Sequence, residues 1–204
     1  MNAHHARFSI LSRLLHWLMA VMVLAMLFLG IGMAATVSER YRFLVAIHRP
    51  LGMAVLVLVV IRLVNRLLYA PPPLPASLPS LQRFAAKGSH VLLYALMFIM
   101  PLLGWGMLSA ARYPIVIAGS FHLPPILPQN PALYAALRHL HTDFAYLFFA
   151  VFLAHLGAAL LHGLIRRDGV FESMASWPLV PPSSPPRPIS MRAPGASPGD
   201  DGRQ

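Results

Sequence analysis

Four long apolar runs organise this chain, and polar or proline-rich stretches separate them. They cover residues 14–35, 43–64, 89–108 and 140–165. Each reaches the roughly 20 residues that a helix needs to cross a bilayer. Pro101 falls inside the third run and predicts a kink there. The first run is longer than the 7–15 apolar residues of a cleaved signal segment, so it reads as a retained helix. The pattern therefore predicts an all-α membrane protein, a four-transmembrane-helix bundle.

The connections differ in kind. Residues 36–42 form a short polar turn with Glu39, Arg40 and Arg42. Residues 69–87 carry Pro71, Pro72, Pro73, Pro75 and Pro79 and read as a stiff extended segment. Residues 109–138 form the longest loop, interrupted by Pro114, Pro124, Pro125, Pro128 and Pro131, and a loop of that length is usually functional or disordered. Residues 178–204 are rich in Pro, Ser and Gly without apolar periodicity, which predicts a disordered tail after a membrane domain spanning 1–177.

Composition sharpens this picture. The 204 residues are 57% hydrophobic and 11% charged, against about 25% charged in an ordinary soluble domain. The formal charge of +10 bears first on orientation. With both termini inside, the inner side carries Arg7, Arg13, Arg62, Arg66, Arg83, Lys87, Arg166, Arg167, Arg187, Arg192 and Arg203. The outer side carries Arg40, Arg42, Arg49, Arg112 and Arg138. This excess predicts cytoplasmic termini, with Arg62 and Arg66 snorkelling from the inner end of the second helix. Basic residues scattered over helix ends do not form a nucleic-acid stripe. The absence of cysteine excludes disulfides, iron–sulfur clusters, thiolate-ligated haem and thioether-linked haem.

Histidines carry the candidate chemistry. His141 and His155 lie fourteen residues apart on the fourth run, roughly 21 Å along the axis and within about 40° of one face. In the predicted topology His48 shares the outer level with His141, and His16 shares the inner level with His155. Facing imidazoles from two helices can grip haem iron from both sides, which leaves no open position for O₂ and favours electron transfer. Each of the four has a small residue one turn later: Ala20, Gly52, Ala145 and Ala159. A single intramembrane histidine more often makes an ordinary contact between helices, but ionisable groups are costly in lipid and four of them pair by depth. Zinc prefers a compact four-ligand site, which two separated pairs do not supply. His4, His5 and His122 read as solvated, and His139 points nearly opposite to His141.

These residues stand in a pattern that resembles the bacterial cytochrome b561 family of small four-helix dihaem membrane cytochromes. The matching stretches are Leu15-His16-Trp17-Leu18; Ile47-His48 with Gly52; and Val60-Ile61-Arg62-Leu63-Val64-Asn65-Arg66-Leu67 before a tyrosine and a proline run. They continue with Gly88-Ser89-His90, Tyr94, Pro101 and Gly104, then His141, Ala154-His155 and Leu161-His162, so the likeness covers residues 7–174. It implies two haem b groups held by His16, His48, His141 and His155 in a multi-pass protein of the bacterial inner membrane. It also implies electron relay between a periplasmic donor, a small anion such as superoxide or a protein, and ubiquinone in the lipid. The outer arginines suit an anionic donor, although they equally suit haem propionates or lipid headgroups. His162, which shares a face with His155, together with His90, Ser9 and Ser12, form the expected quinone end. The alternatives are a cytochrome subunit docked to a dehydrogenase or hydrogenase, and a non-redox helical membrane protein whose histidines serve packing or proton relay.

Overall fold

The structure, a computed structural model, describes residues 8–70, 72–73, 79–117 and 121–175. The tail expected over 178–204 lies outside these residues, as do His4 and His5. Four long helices dominate: α1 (Ile10–Ala34), α2 (Glu39–Leu68), α3 (Ser80–Ala110) and α4 (Pro131–Leu160). All four are long and apolar enough to span a membrane. Most of their ends overrun the expected boundaries, α1 stopping at Ala34 and α4 at Leu160, because the apolar rule marks only the lipid-facing part of each helix and local capping sets the true ends. Ser9 caps α1 by accepting from Ser12 N at 3.2 Å. Ser38 caps α2 by accepting from Arg40 N at 3.3 Å. Asn130 accepts from Leu133 N at 3.0 Å, with Pro131 at the first helical turn, so α4 begins nine residues before its apolar run. Pro50 and Pro101 both sit inside continuous helices.

Consecutive helices pack as neighbours: α1 on α2, α2 on α3, and α3 most extensively on α4. The shared core is built from Leu15, Met19, Val23, Val55, Leu58, Val59, Leu93, Leu96 and Met97. From α4 only Phe148 is buried with them. The fourth helix thus leans on α3, and its backbone comes close to α1 at few points. Large apolar side chains such as Val21, Phe28, Val57 and Val91 face outward on the spans, the arrangement expected where lipid replaces water.

The described residues of the 109–138 segment hold regular structure that a plain loop would lack. The last turn of α3 ends with Arg112 in the left-handed region (φ 56°), and Tyr113 N donates to Leu108 O at 2.9 Å. A two-stranded antiparallel hairpin follows, β1 (Ile115–Ile117) with β2 (Phe121–Leu123), Ile115 opposite Leu123. Ile115 is buried, Arg49 reaches Pro114 O at 3.4 Å, and Trp105 Nε1 donates to Pro124 O at 2.9 Å. The hairpin therefore caps one end of the bundle. His122 stands on β2 and is exposed, and His139 is exposed too.

The other end holds both termini of the described chain. α4 finishes in a π-helical turn, Leu161–Arg166, and Arg167 (φ 50°) reverses the chain. A short helix, α5 (Glu172–Ala175), then folds back. Phe8 N donates to Ser173 O at 3.3 Å, and Trp17 Nε1 donates to Met174 O at 3.2 Å. These two poles are the hairpin end and the terminal end below.

Candidate functional site

The alternating directions of the four helices carry their histidines to two levels. His48 near the start of α2 meets His141 near the start of α4 at the hairpin end, with ring centroids 6.3 Å apart and planes at 67°. His16 early in α1 meets His155 late in α4 at the terminal end, at 6.4 Å and 74°. Both pairs bridge α4 to helices with which it shares little packing. No hydrogen bond joins the rings of either pair among the described residues, and Nδ1 of both His48 and His141 is buried without a partner.

The spacing can be set against two uses of such a pair. Imidazoles joined by an N–H···N bond of about 2.9 Å would bring their centroids to roughly 5.2 Å. Imidazoles sharing one metal ion in a straight line, with bonds of about 2.0 Å on each side, stand roughly 6.3 Å apart. Both pairs fit the second distance. Gly104 adds space at the hairpin level: a Cβ there would lie 3.5 Å from Cε1 of His141. Among the described residues no three His, Asp or Glu side chains gather to hold a bare metal ion. Two facing imidazoles at each level would supply the nitrogen donors that a haem takes from protein.

His90 is nearer to His155 than His16 is, at 5.3 Å between centroids, so the terminal level holds three imidazoles. Depth along the sequence put His90 near this level but gave no sign that it would touch His155. Ser9 and Ser12 are linked at 2.9 Å, and Asn65 Nδ2 donates to Ser12 Oγ at 2.7 Å. His162 lies in the π-helical turn, and its Nδ1 is 2.6 Å from Asp168 Oδ2. Burial works to raise the Asp168 carboxyl, but hydrogen bonds from His162 and from Val170 N–H outweigh it and hold the group below the usual carboxylate range.

Arg62 does not snorkel. It is half-buried and turned inward, with Nε donating to Tyr94 Oη at 2.9 Å, Nη1 to Ser12 O at 3.2 Å, and Nη2 lying 3.2 Å from His16 Nδ1. Arg66 lies over the Tyr94 ring, 5.7 Å from its centroid. The sequence offered one hint, a polar pair (Arg62, Asn65) within an otherwise apolar helix end, but the partners come from α1 and α3.

Four helices long and apolar enough to span a membrane carry histidines that meet in pairs across the bundle. The pattern of prokaryotic cytochrome b561 matches residues 7–177, and the chain belongs to that family. It is 31% identical to "Cytochrome b561 homolog 2" of Escherichia coli K12, over 82% of this chain and 90% of the relative. It is 28% identical to "Cytochrome b561 homolog 1" of the same organism, over 82% and 96%. A "Probable superoxide oxidase CybB" of Yersinia pestis is 28% identical over 83% of this chain and 96% of its own length. The protein is accordingly a multi-pass membrane cytochrome b of electron transfer, and its family implies haem b.

Proposed function

We propose that the chain holds two haem b groups and relays electrons across the bacterial inner membrane, from a donor at the hairpin end to quinone at the terminal end. The observation that carries this reading is the pair of centroid separations, 6.3 Å for His48–His141 and 6.4 Å for His16–His155, each the span of one shared metal. Bound haem would supply reversible one-electron exchange at each level, without an open iron position. The protein's own part is to fix the imidazoles, exclude water and bias the electron's position.

The hairpin end suits a small anionic donor. Arg40, Arg112 and Arg138 are exposed there, while Arg42 is paired with Glu39. A positive field of this kind raises the encounter rate of an anion. The name of the Yersinia pestis relative supports superoxide as that donor. Quinone needs two electrons and two protons, so two superoxide ions, each released as O₂, reduce one ubiquinone to its quinol. His90, His162, Ser9 and Ser12 supply hydrogen-bonding groups at the terminal end. Asp168 against His162 Nδ1 fixes the orientation of that imidazole at the terminal end. The arginine distribution supports cytoplasmic termini, where those protons are drawn, with residues 1–177 forming the membrane domain.

Pyridine haemochrome quantitation of the purified protein tests the reading, with two b haems per chain expected. His48→Ala or His141→Ala removes the hairpin-end haem, and His16→Ala or His155→Ala the terminal-end haem. Full haem content in all four variants rejects the ligand assignment. Stopped-flow mixing of the oxidised protein with a superoxide source tests the donor, and haem reduction no faster than in its absence rejects superoxide.

A further inference from the structure

Arg62 is a cation inside a membrane-spanning helix, and its three hydrogen-bonding partners are all neutral, the Tyr94 hydroxyl, the Ser12 carbonyl and His16 Nδ1, while Arg66 on the same Tyr94 ring is a second cation beside it. No carboxylate among the described residues is paired with it. A charge in this position is costly, and its retention points to a use. Tyr94 comes from α3 and Ser12 from α1, so the guanidinium is held from both sides of α2 and cannot swing to the headgroups without breaking both bonds.

A guanidinium only donates, so Nδ1 of His16 accepts in the contact seen here. A histidine bound to iron through Nε2 carries its proton on Nδ1 and cannot accept there. What persists with iron bound is therefore the nearby charge, anchored by Tyr94 and Ser12, rather than the Nδ1 contact. Among the described residues the hairpin level has a weaker counterpart: Arg49 follows His48 and is also partly buried, but its side chain turns to the carbonyl of exposed Pro114, where water and salt screen it more.

We infer that Arg62 is a positioning residue for the electron, a fixed, half-buried cation that makes the His16–His155 level the lower-energy stop of the two. This rests on the dihaem reading proposed above. Reducing a ferric haem removes one unit of positive charge, so a fixed cation beside it favours the reduced form. In the low dielectric between the helices, that preference is larger than the same charge would give in water. The terminal-end haem then takes the electron from the hairpin-end haem and keeps it beside the quinone groups.

The test is a spectroelectrochemical titration of the full chain with both haems, in wild type and in the Arg62→Gln, Arg62→Lys and Tyr94→Phe variants. Haem is first counted in each. Arg62→Gln is expected to shift the reduction equilibrium of one haem about tenfold toward the oxidised form, about 59 mV for one electron. The other haem stays in place, and Arg62→Lys stays near wild type. Tyr94→Phe, which frees the guanidinium without removing its charge, moves the same haem in the same direction by less. Two haems with unmoved potentials in Arg62→Gln, or equal shifts of both, overturn the inference and leave the dihaem reading standing. If Arg62→Gln does not retain haem, Tyr94→Phe decides, and an unmoved potential there overturns it. Fewer than two haems in wild type overturns both.

Discussion

Gly163 lies against the face of Phe171, so closely that a Cβ at position 163 would stand 2.9 Å from Cγ and 3.0 Å from Cδ1 of that ring. Cβ of Phe171 would lie 3.2 Å away as well, and that atom cannot move without the backbone, while Cγ and Cδ1 could yield only by turning the whole ring. The contact seats the returning segment 168–175 on the end of α4. Gly163→Ala is expected to lift that segment at about 1–3 kcal/mol, the usual cost of overpacking. Limited proteolysis should show faster cleavage after residue 167, and Phe171→Ala in the same chain should restore protection. Haem content should not change, since His155 lies two turns earlier.

The Asp168 carboxyl anchors the same segment and responds to pH. Its folded-state pKa lies below the unfolded value of about 3.9, so its contribution is complete above that value and is lost as pH falls through the folded pKa. Amide hydrogen exchange across 170–175 is therefore expected to be flat from neutral pH down to about 4, after allowing for intrinsic rates, and to accelerate below it. Asp168→Asn should abolish this acid dependence. Acceleration beginning near pH 6 in wild type would assign the anchor to another group.

His90 tests the meaning of the ring spacings. At 5.3 Å from His155 it is too close for both rings to share one metal in a straight line. His90→Ala is expected to keep two haems per chain, whereas His16→Ala keeps one. Loss of a haem from His90→Ala with retention of both in His16→Ala would exchange their roles.

Gly104 offers a graded test at the hairpin level. An added Cβ would meet His141 at ordinary contact distance, 3.5 Å to Cε1 and 3.8 Å to Nδ1. Gly104→Ala should therefore keep both haems. Gly104→Val adds two methyls on the side of the imidazole and should displace it, leaving one haem by quantitation and a single wave in a redox titration.

The four spans and the closeness of His48 to His141 and of His16 to His155 were legible in the sequence because each depends on one variable. Apolar run length fixes a span, and depth along a helix fixes the level of a side chain. What stayed hidden depends on partners far apart in the chain. Arg62 read as a snorkelling cation until Ser12 and Tyr94 turned it inward. Asp168 had no visible role, because only the π-helical turn and the left-handed Arg167 bring it back to His162. The hairpin over 115–123 is too short for a periodic signal, and its place depends on Ile115 burying itself against the bundle. His90 could be put at the right depth, but its rotation toward His155 follows from how α3 packs on α4.

The lean of α4 on a single neighbour bears on how such a protein is put together. Three helices can settle by their own side-chain contacts, while the fourth rests along α3 like a door on its hinge, with Phe148 as its one deep point of attachment. On the dihaem reading proposed above, a flat porphyrin would slide in from the lipid before that door shuts, and iron would then be the latch. Maturation of the fold and delivery of its pigment would become one event, so a cell short of haem would accumulate the chain ajar and open to its membrane proteases.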